Sequence, residues 1–219
     1  VIDAAQDYFE CEIVSFDDDS PLVRITRHED ATNDDPLVML VQGLAKGEKM
    51  DSVIRHATEL GVAAFMPLTC ERSIVKLDAK KTRTRLDRWR SIAKSAAMQS
   101  GQPRIPEVLE PRSAKEAASE LAEATAVLIC WEEAPQTASL AHAIERGLSE
   151  CTCARGDARI AVVVGPEGGL TEREVAFFLD ANPRASLVSL GSSILRTETA
   201  GVVAPALTLY ELGKLGGTR

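Results

Sequence analysis

The chain has 219 residues, is 45% hydrophobic and 26% charged, and carries a formal net charge of −8. That length buries roughly 70% of the unfolded surface, so one domain, or one and a fraction, with a proper core is expected, and the composition excludes a disordered or fibrous chain. No apolar run approaches the roughly 20 residues of a membrane-spanning helix and no secretory signal is read; the expectation is a cytoplasmic protein with no membrane partner.

Residues 8–16 and 22–26 read as short strands around an Asp17-Asp18-Asp19-Ser20-Pro21 turn. The chain opens at Val1 inside what reads as a strand, so a natural N-terminal segment is expected before it. Asn33-Asp34-Asp35-Pro36 marks a boundary between residues 1–35 and 36–219. Beyond it strands are predicted at 36–44, 63–68, 126–131, 160–165 and 186–191, and helices at 46–61, 86–101, 113–124, 138–149, 171–180 and 197–212. Met50, Val53, Ile54, Ala57 and Leu60 recur at helical spacing, with Gly61 as the stop. Leu86, Trp89, Ala93 and Ala96 make the inward stripe of the next helix. Thr171 and Glu174 form a capping box. Pro205 predicts a bend or a broken start in the last helix. The alternation predicts an α/β fold with a mostly parallel sheet and ligands at the carboxyl ends of its strands.

The five cysteines, Cys11, Cys70, Cys130, Cys151 and Cys153, are odd in number and scattered, and read as reduced thiols. Cys151-Thr152-Cys153 lacks the second ligand pair of a zinc site, the three histidines lie far apart, and no metal is expected. Charge is unevenly placed. Residues 1–35 hold eleven acids and two bases, whereas residues 71–104 hold ten bases and three acids. Such a basic segment is either the footprint of a polyanion or a solvated helix face.

Two loops carry the chemistry. Gly165-Pro166-Glu167-Gly168-Gly169-Leu170-Thr171 follows one apolar strand, and Leu190-Gly191-Ser192-Ser193-Ile194-Leu195-Arg196-Thr197-Glu198-Thr199-Ala200 follows the next. Either alone reads equally as a turn; at the ends of consecutive strands the pair favours a ligand site. The first is not a dinucleotide loop, because Pro166 removes an N–H and Glu167 sets a negative charge where a pyrophosphate would lie. At about 4 Å that repulsion is on the order of 1–4 kcal/mol. A ligand with no phosphate and a positive centre fits better, and S-adenosylmethionine is one. In the second loop Gly191 is expected to allow close backbone approach, Ile194 and Leu195 to supply apolar walls, and the opening of the last helix to leave unpaired N–H groups.

GPEGGLTEREV followed by LGSSILRTETA resembles the signature of the RsmE-type 16S rRNA uridine N3-methyltransferases of the SPOUT class. Lys46-Gly47-Glu48-Lys49-Met50-Asp51, Ala57-Thr58-Glu59-Leu60-Gly61, Glu71-Arg72-Ser73, Arg88-Trp89 and Gln99-Ser100-Gly101 stand in the order that family shows, so the resemblance covers roughly residues 37–212. It implies a SPOUT methyltransferase domain over residues 36–219, a trefoil knot of the kind chains otherwise avoid, a homodimer with each active site near the subunit interface, and a PUA-like β-barrel of which residues 1–35 are the C-terminal remnant. The implied partner is 16S rRNA of the small ribosomal subunit. The implied cofactor-binding residues are Gly165, Glu167, Gly168, Gly169, Leu190, Gly191, Ile194, Leu195, Thr199 and Ala200. Gln102 stands where the family often has a basic residue, and Ser192-Ser193 where it often has Pro-Arg.

Methyl transfer to uracil N3 requires loss of the N3 proton and stabilisation of the anion. Arg196 is the expected fixed cation, with Glu198 orienting it or accepting the proton; a structural ion pair is the alternative. Arg72, Lys76, Arg88 and Arg104 are the expected phosphate contacts, and the base must leave its stack to be reached. Trp89 is either a base-stacking residue or, at its helical spacing, core. Two other readings stay open: a non-catalytic RNA-binding module of the same fold, and a related methyltransferase with another RNA target. A nucleotide-dependent enzyme is opposed by Glu167.

Overall fold

A computed structural model describes residues 8–29, 35–75 and 78–217. Strands β1 (Tyr8–Asp17) and β2 (Ser20–Glu29) pair antiparallel as a hairpin. The remaining elements are β3 (Leu37–Gly43), α1 (Lys49–Leu60), β4 (Ala64–Thr69), α2 (Ala79–Ser100), β5 (Glu107–Val108), β6 (Arg112–Ser113), α3 (Ala114–Glu120), β7 (Ala126–Cys130), α4 (Leu140–Cys151), β8 (Arg159–Val164), α5 (Glu172–Ala181), β9 (Ala185–Val188) and α6 (Thr197–Glu211).

Strands β3 to β9 form one sheet in the order β5-β4-β3-β8-β7-β9, with β6 beside β4. Every pairing in it is parallel. Its central strands are apolar on both faces, as a sheet covered on both sides requires. Val38, Leu40, Ile160 and Val162 pack under α1, α2, α4 and α6, while Val41, Ala161 and Val163 pack under α3 and α5. The predicted mostly parallel α/β fold is therefore what the residues build. From β7 the chain crosses to β8 by α4 on one face, then returns past β7 to β9 by α5 on the other. The strand order thus reverses at β8, and such a reversal leaves a crevice at the strands' carboxyl ends.

Local signals account for most of the boundaries. Gly61 ends α1 in the left-handed region (φ 100°), its N–H reaching Ala57 O and Thr58 O. Both halves of the Thr171–Glu174 capping box form. Helix α2 begins seven residues earlier than its apolar stripe predicts: after Ala79 its first two turns are polar, and the start is set by Asp78, whose side chain accepts from Lys81 N. Strand β9 is shorter than predicted, because Ser189 leaves the ladder to donate its N–H to Ala138 O, and Gly191 N–H turns back onto the Ser189 hydroxyl. Helix α6 runs unbroken from Thr197 through Pro205 to Glu211, so the expected broken start is not found, and it packs against α1, α4, β3 and β8. The reading of five reduced thiols is corrected at one pair. Thr152, with φ 53°, ends α4 in the left-handed region and brings the Cα atoms of Cys151 and Cys153 to 5.3 Å, where a disulfide joins them. Among the described residues, no helix is long and apolar enough to cross a membrane.

Trp89 is fully buried, and its ring N–H donates to Asp51 Oδ1 at 3.1 Å. The core reading of Trp89 holds and the base-stacking one falls. Asp51, itself buried, accepts from Arg88 Nε at 2.8 Å through its other oxygen. Asp51→Ala leaves a buried indole N–H without a partner, and a loss of about 1–3 kcal/mol is expected. A lowered urea midpoint at unchanged slope measures it, and Asp51→Asn, which keeps one acceptor, is expected to recover part of the loss.

Candidate functional site

A cavity of about 620 Å³ opens at the carboxyl edge of the sheet, where the strand order reverses. Ligand pockets of this size hold a molecule as large as a nucleoside derivative. Three loops wall it, not two. The loops after β8 and β9 are the expected pair, but β7 lies between those strands, so the loop after β7 supplies Trp131, Glu132, Ala134 and Gln136. The two signature loops are consecutive in sequence and not neighbours in the sheet.

Of the expected cofactor residues, Gly165, Glu167, Gly169, Leu190, Gly191, Ile194, Leu195 and Ala200 line the cavity. Gly168 and Thr199 do not. Gly168 faces away, against Arg72, whose Cβ would lie 2.9 Å from a Cβ added at that glycine. Thr199 points outward from the first turn of α6 and is exposed. Gly191 is required for a different reason than expected: its φ is +116°, and an added Cβ would meet nothing within 4 Å. Ile194 is 89% exposed and so gives the cavity little wall within one chain.

The two signature loops are joined by a buried chain of hydrogen bonds. Thr197 Oγ1 donates to Gly165 O at 2.6 Å and accepts from Gln42 Nε2 at 2.9 Å. Gln42 and Thr197 are both buried, so the end of β3, the loop after β8 and the start of α6 are held at one point. Gly43 allows the contact: an added Cβ would lie 2.3 Å from Pro166 N and 2.6 Å from Gly165 C.

Above this chain sits an ionic clasp. Lys49 Nζ lies 3.1 Å from Glu167 Oε1 and 3.1 Å from Glu198 Oε2, and Glu167 Oε1 also accepts Lys46 N–H at 3.0 Å. Lys49 lines the cavity, whereas Glu198 stands behind it. The lysine is raised above its ordinary value by the two carboxylates, Glu167 first. Burial pushes the Glu167 carboxyl up, but the Lys46 N–H, its own N–H and the Lys49 ammonium outweigh it and hold it below the usual range. Glu198 is held down by its own N–H, then by Lys49 and, more weakly, by Arg196. The expected Arg196–Glu198 pair is thus indirect. Arg196 is the N-cap residue of α6, is exposed, and lines the cavity mouth. Burial pushes the Cys130 thiol, at the cavity floor, up to about 12, which keeps it protonated.

Two of the expected phosphate contacts, Arg72 and Arg88, are exposed but also engaged within the chain. Arg72 Nη1 donates to Gly168 O and Leu170 O, both at 3.3 Å, and so braces the loop after β8. Arg88 pairs with Asp51 at 2.6 Å. Lys76 lies outside the described residues. Arg104 is half-buried beyond the end of α2. On α2 the exposed bases are Lys80, Lys81, Arg83 and Lys94, together with the outer parts of Arg88 and Arg90. Gln102, in a position often basic in the family, donates to Glu59 O at 2.9 Å and ties α2 to the end of α1. Sequence reasoning missed Gln42, Lys49 and Glu132 as site residues. Lys49 stood within a quoted motif; Gln42 and Glu132 carried no local signal.

A phosphate-averse cavity at a switch point of a parallel sheet, beside a basic helix, is the arrangement of an RNA methyltransferase domain, and the model of that family matches residues 33–209. Similarity to individual proteins narrows the class. The chain is 33% identical over 222 aligned residues to ribosomal RNA small subunit methyltransferase E of Bacillus subtilis, covering 99% of this chain and 84% of the relative. It is 36% identical to the protein of the same name from Mycobacterium bovis, over 77% of this chain, and spans only 61% of that relative's length. In three dimensions it matches the Neisseria gonorrhoeae enzyme of that name bound to S-adenosylmethionine, with a TM-score of 0.73 and 29% identity over 95% of this chain and 81% of that one. The chain belongs to the ribosomal RNA small subunit methyltransferase E family.

The clasp has a pH signature. The two lowered carboxyl groups contribute stability that is present above their unfolded values and is lost as pH falls through their folded ones; the raised lysine contributes below its unfolded value only. Lys49→Met is therefore expected to lower the melting temperature at pH 7, with the gap from wild type closing below about pH 4 as the carboxylates protonate. Melting curves across that range check it, and a gap that stayed constant into acid would remove the clasp from the account.

Proposed function

We propose that this chain methylates N3 of a specific uridine in 16S rRNA of the small ribosomal subunit, using S-adenosylmethionine. The observation that carries the reading is the cavity between the loops after β7, β8 and β9. Its residues suit the cofactor. Pro166 and Glu167 disfavour a phosphate, Leu190, Leu195, Val164 and Val188 offer apolar walls to an adenine, and backbone groups of the two glycine loops are at hand for its polar edge. The carboxylates at the mouth tolerate a sulfonium. When bound, S-adenosylmethionine supplies a methyl group on a positively charged sulfur.

The chain's own residues do the rest. Arg196, at the mouth, holds a carbonyl oxygen of the uracil and stabilises the charge left when N3 loses its proton, the preorganised electrostatic role that often dominates catalysis. Glu198 positions Arg196 from behind through their mutual field. The exposed lysines and arginines of α2, with Arg104 beyond it, meet RNA phosphates.

Three further readings belong to the proposal. The passage of residues 189–197 beside the loop after β8, pinned by Thr197, supports the trefoil knot. Exposed Ile194 and, on α6, exposed Leu207 and Tyr210 support a homodimer that covers the cavity mouth. The hairpin exposes Ile13, Phe16, Leu22 and Ile25, each by more than half, which supports its belonging to a larger PUA-like β unit, with residues 36–219 as the methyltransferase domain. The site of action is the cytoplasm, where the ribosomal substrate is assembled.

Mass mapping of 16S rRNA from a strain lacking the protein, before and after it is added back, is expected to show one uridine gaining a methyl group; RNA unchanged by the addition refutes the function. Arg196→Ala is expected to lower kcat on the order of 10²–10³-fold with cofactor affinity preserved, and a folded variant that kept most of its turnover would strip Arg196 of the role. Replacing Lys80, Lys81, Arg83 and Lys94 by Gln is expected to flatten the log–log salt dependence of RNA binding by roughly 3. An unchanged slope would place the RNA on another face.

A further inference from the structure

Glu132 is the one acidic side chain lining the cavity that the clasp does not engage. It follows the carboxyl end of β7, and its carboxylate lies beside Gly169 in the loop after β8: a Cβ added at Gly169 would sit 2.3 Å from its Oε1 and 3.3 Å from its Oε2. Gly169 has φ +71° and no side chain, and that absence opens the space the carboxylate fills. Among the described residues the Glu132 carboxylate has no ion pair and no hydrogen bond. Lys49, the lysine of the cavity, is already shared between Glu167 and Glu198.

Water satisfies this carboxylate while the cavity is wet. A ligand that fills the cavity removes that water, and an ionised carboxylate stripped of water without a partner is strongly disfavoured. The ligand must therefore present hydrogen-bond donors to it. We propose that Glu132 is a cofactor-binding residue, its carboxylate accepting hydrogens from the bound S-adenosylmethionine, which offers three donor groups: the adenine amine, the ribose diol and the α-ammonium. The assignment rests on the S-adenosylmethionine reading above. Charge agrees with it. Glu132, Glu167 and Glu198 set against Lys49 and Arg196 leave one negative charge at the site, matching the net positive charge of S-adenosylmethionine.

Titration calorimetry of the wild-type chain, Glu132→Gln and Glu132→Ala with S-adenosylmethionine, S-adenosylhomocysteine and 5′-methylthioadenosine tests the assignment. Glu132→Ala is expected to weaken S-adenosylmethionine binding at least tenfold at an unchanged denaturation midpoint, since the side chain is exposed and packs no core. Loss on all three ligands identifies the adenosine, through its ribose diol or adenine amine, as the donor. Loss on the first two alone identifies the ammonium, which methylthioadenosine lacks, and Glu132→Gln, which keeps an acceptor without its charge, is then expected to fall nearly as far as Ala. If both variants bind every ligand within twofold of a wild type that itself binds, Glu132 has no such role and the cofactor reading survives. If the wild type takes up none of the three, the cofactor reading fails and takes the assignment with it.

Discussion

The Thr197 hydroxyl donates to the Gly165 carbonyl and accepts from the Gln42 amide, and all three groups are withdrawn from water. A buried polar group must find its partner inside the protein, because leaving it unmatched costs the full loss of hydration. Three segments far apart in sequence are thereby given one relative position. Gln42 brings the central strand β3, Gly165 the end of β8 and its loop, and Thr197 the first residue of the helix that closes the domain. If this triad is displaced, the loops after β8 and β9 no longer face each other. Gly43 beside it shows how close the backbones run, since even a methyl group there would overlap Pro166.

The ionic layer above works differently. Lys49 is partly exposed, and exposed pairs contribute little to stability one at a time. Its importance is in where it puts charge. By sharing one ammonium between Glu167 and Glu198 it holds both carboxyl groups below their usual range, and it leaves Glu132 and Arg196 as the charged lining residues outside the clasp. Buried hydrogen bonds set the shape of the site, and the surface ion cluster sets its sign. The same division explains Arg72, which looks like a phosphate contact in a basic stretch yet spends its guanidinium on two carbonyls of the loop it braces.

Much of this was legible before any coordinates. The apolar strands, the helical stripes, the Gly61 stop and the Thr171–Glu174 box are local patterns, and they form where the pattern places them. Pro166 and Glu167 were enough to argue the cavity away from phosphates, and eight of the ten expected cofactor residues line it. The misses are equally specific. Trp131-Glu132-Glu133-Ala134-Pro135-Gln136 reads as an ordinary polar turn, and nothing in it announces a wall of the site. The polar opening of α2 has no apolar period, so its first two turns were unseen. Pro205 was expected to bend α6 or break its start, but the helix is continuous from Thr197, since packing against α1, α4, β3 and β8 outweighs one lost backbone bond.

Residue pattern and composition therefore determined the α/β class, the succession of elements, the two ligand loops and the chemistry they favour, because each depends on contacts within a few residues. The tertiary structure alone decided that β7 is interposed between β8 and β9, that Lys49 and not Arg196 pairs with Glu198, that Arg88 and Trp89 are spent on Asp51, and that Glu132 faces the ligand space. Strand order and long-range pairing join groups 155 positions apart, as Gln42 and Thr197 are. No local rule reaches that far, since a side chain's partner depends on which surfaces the folded sheet brings together.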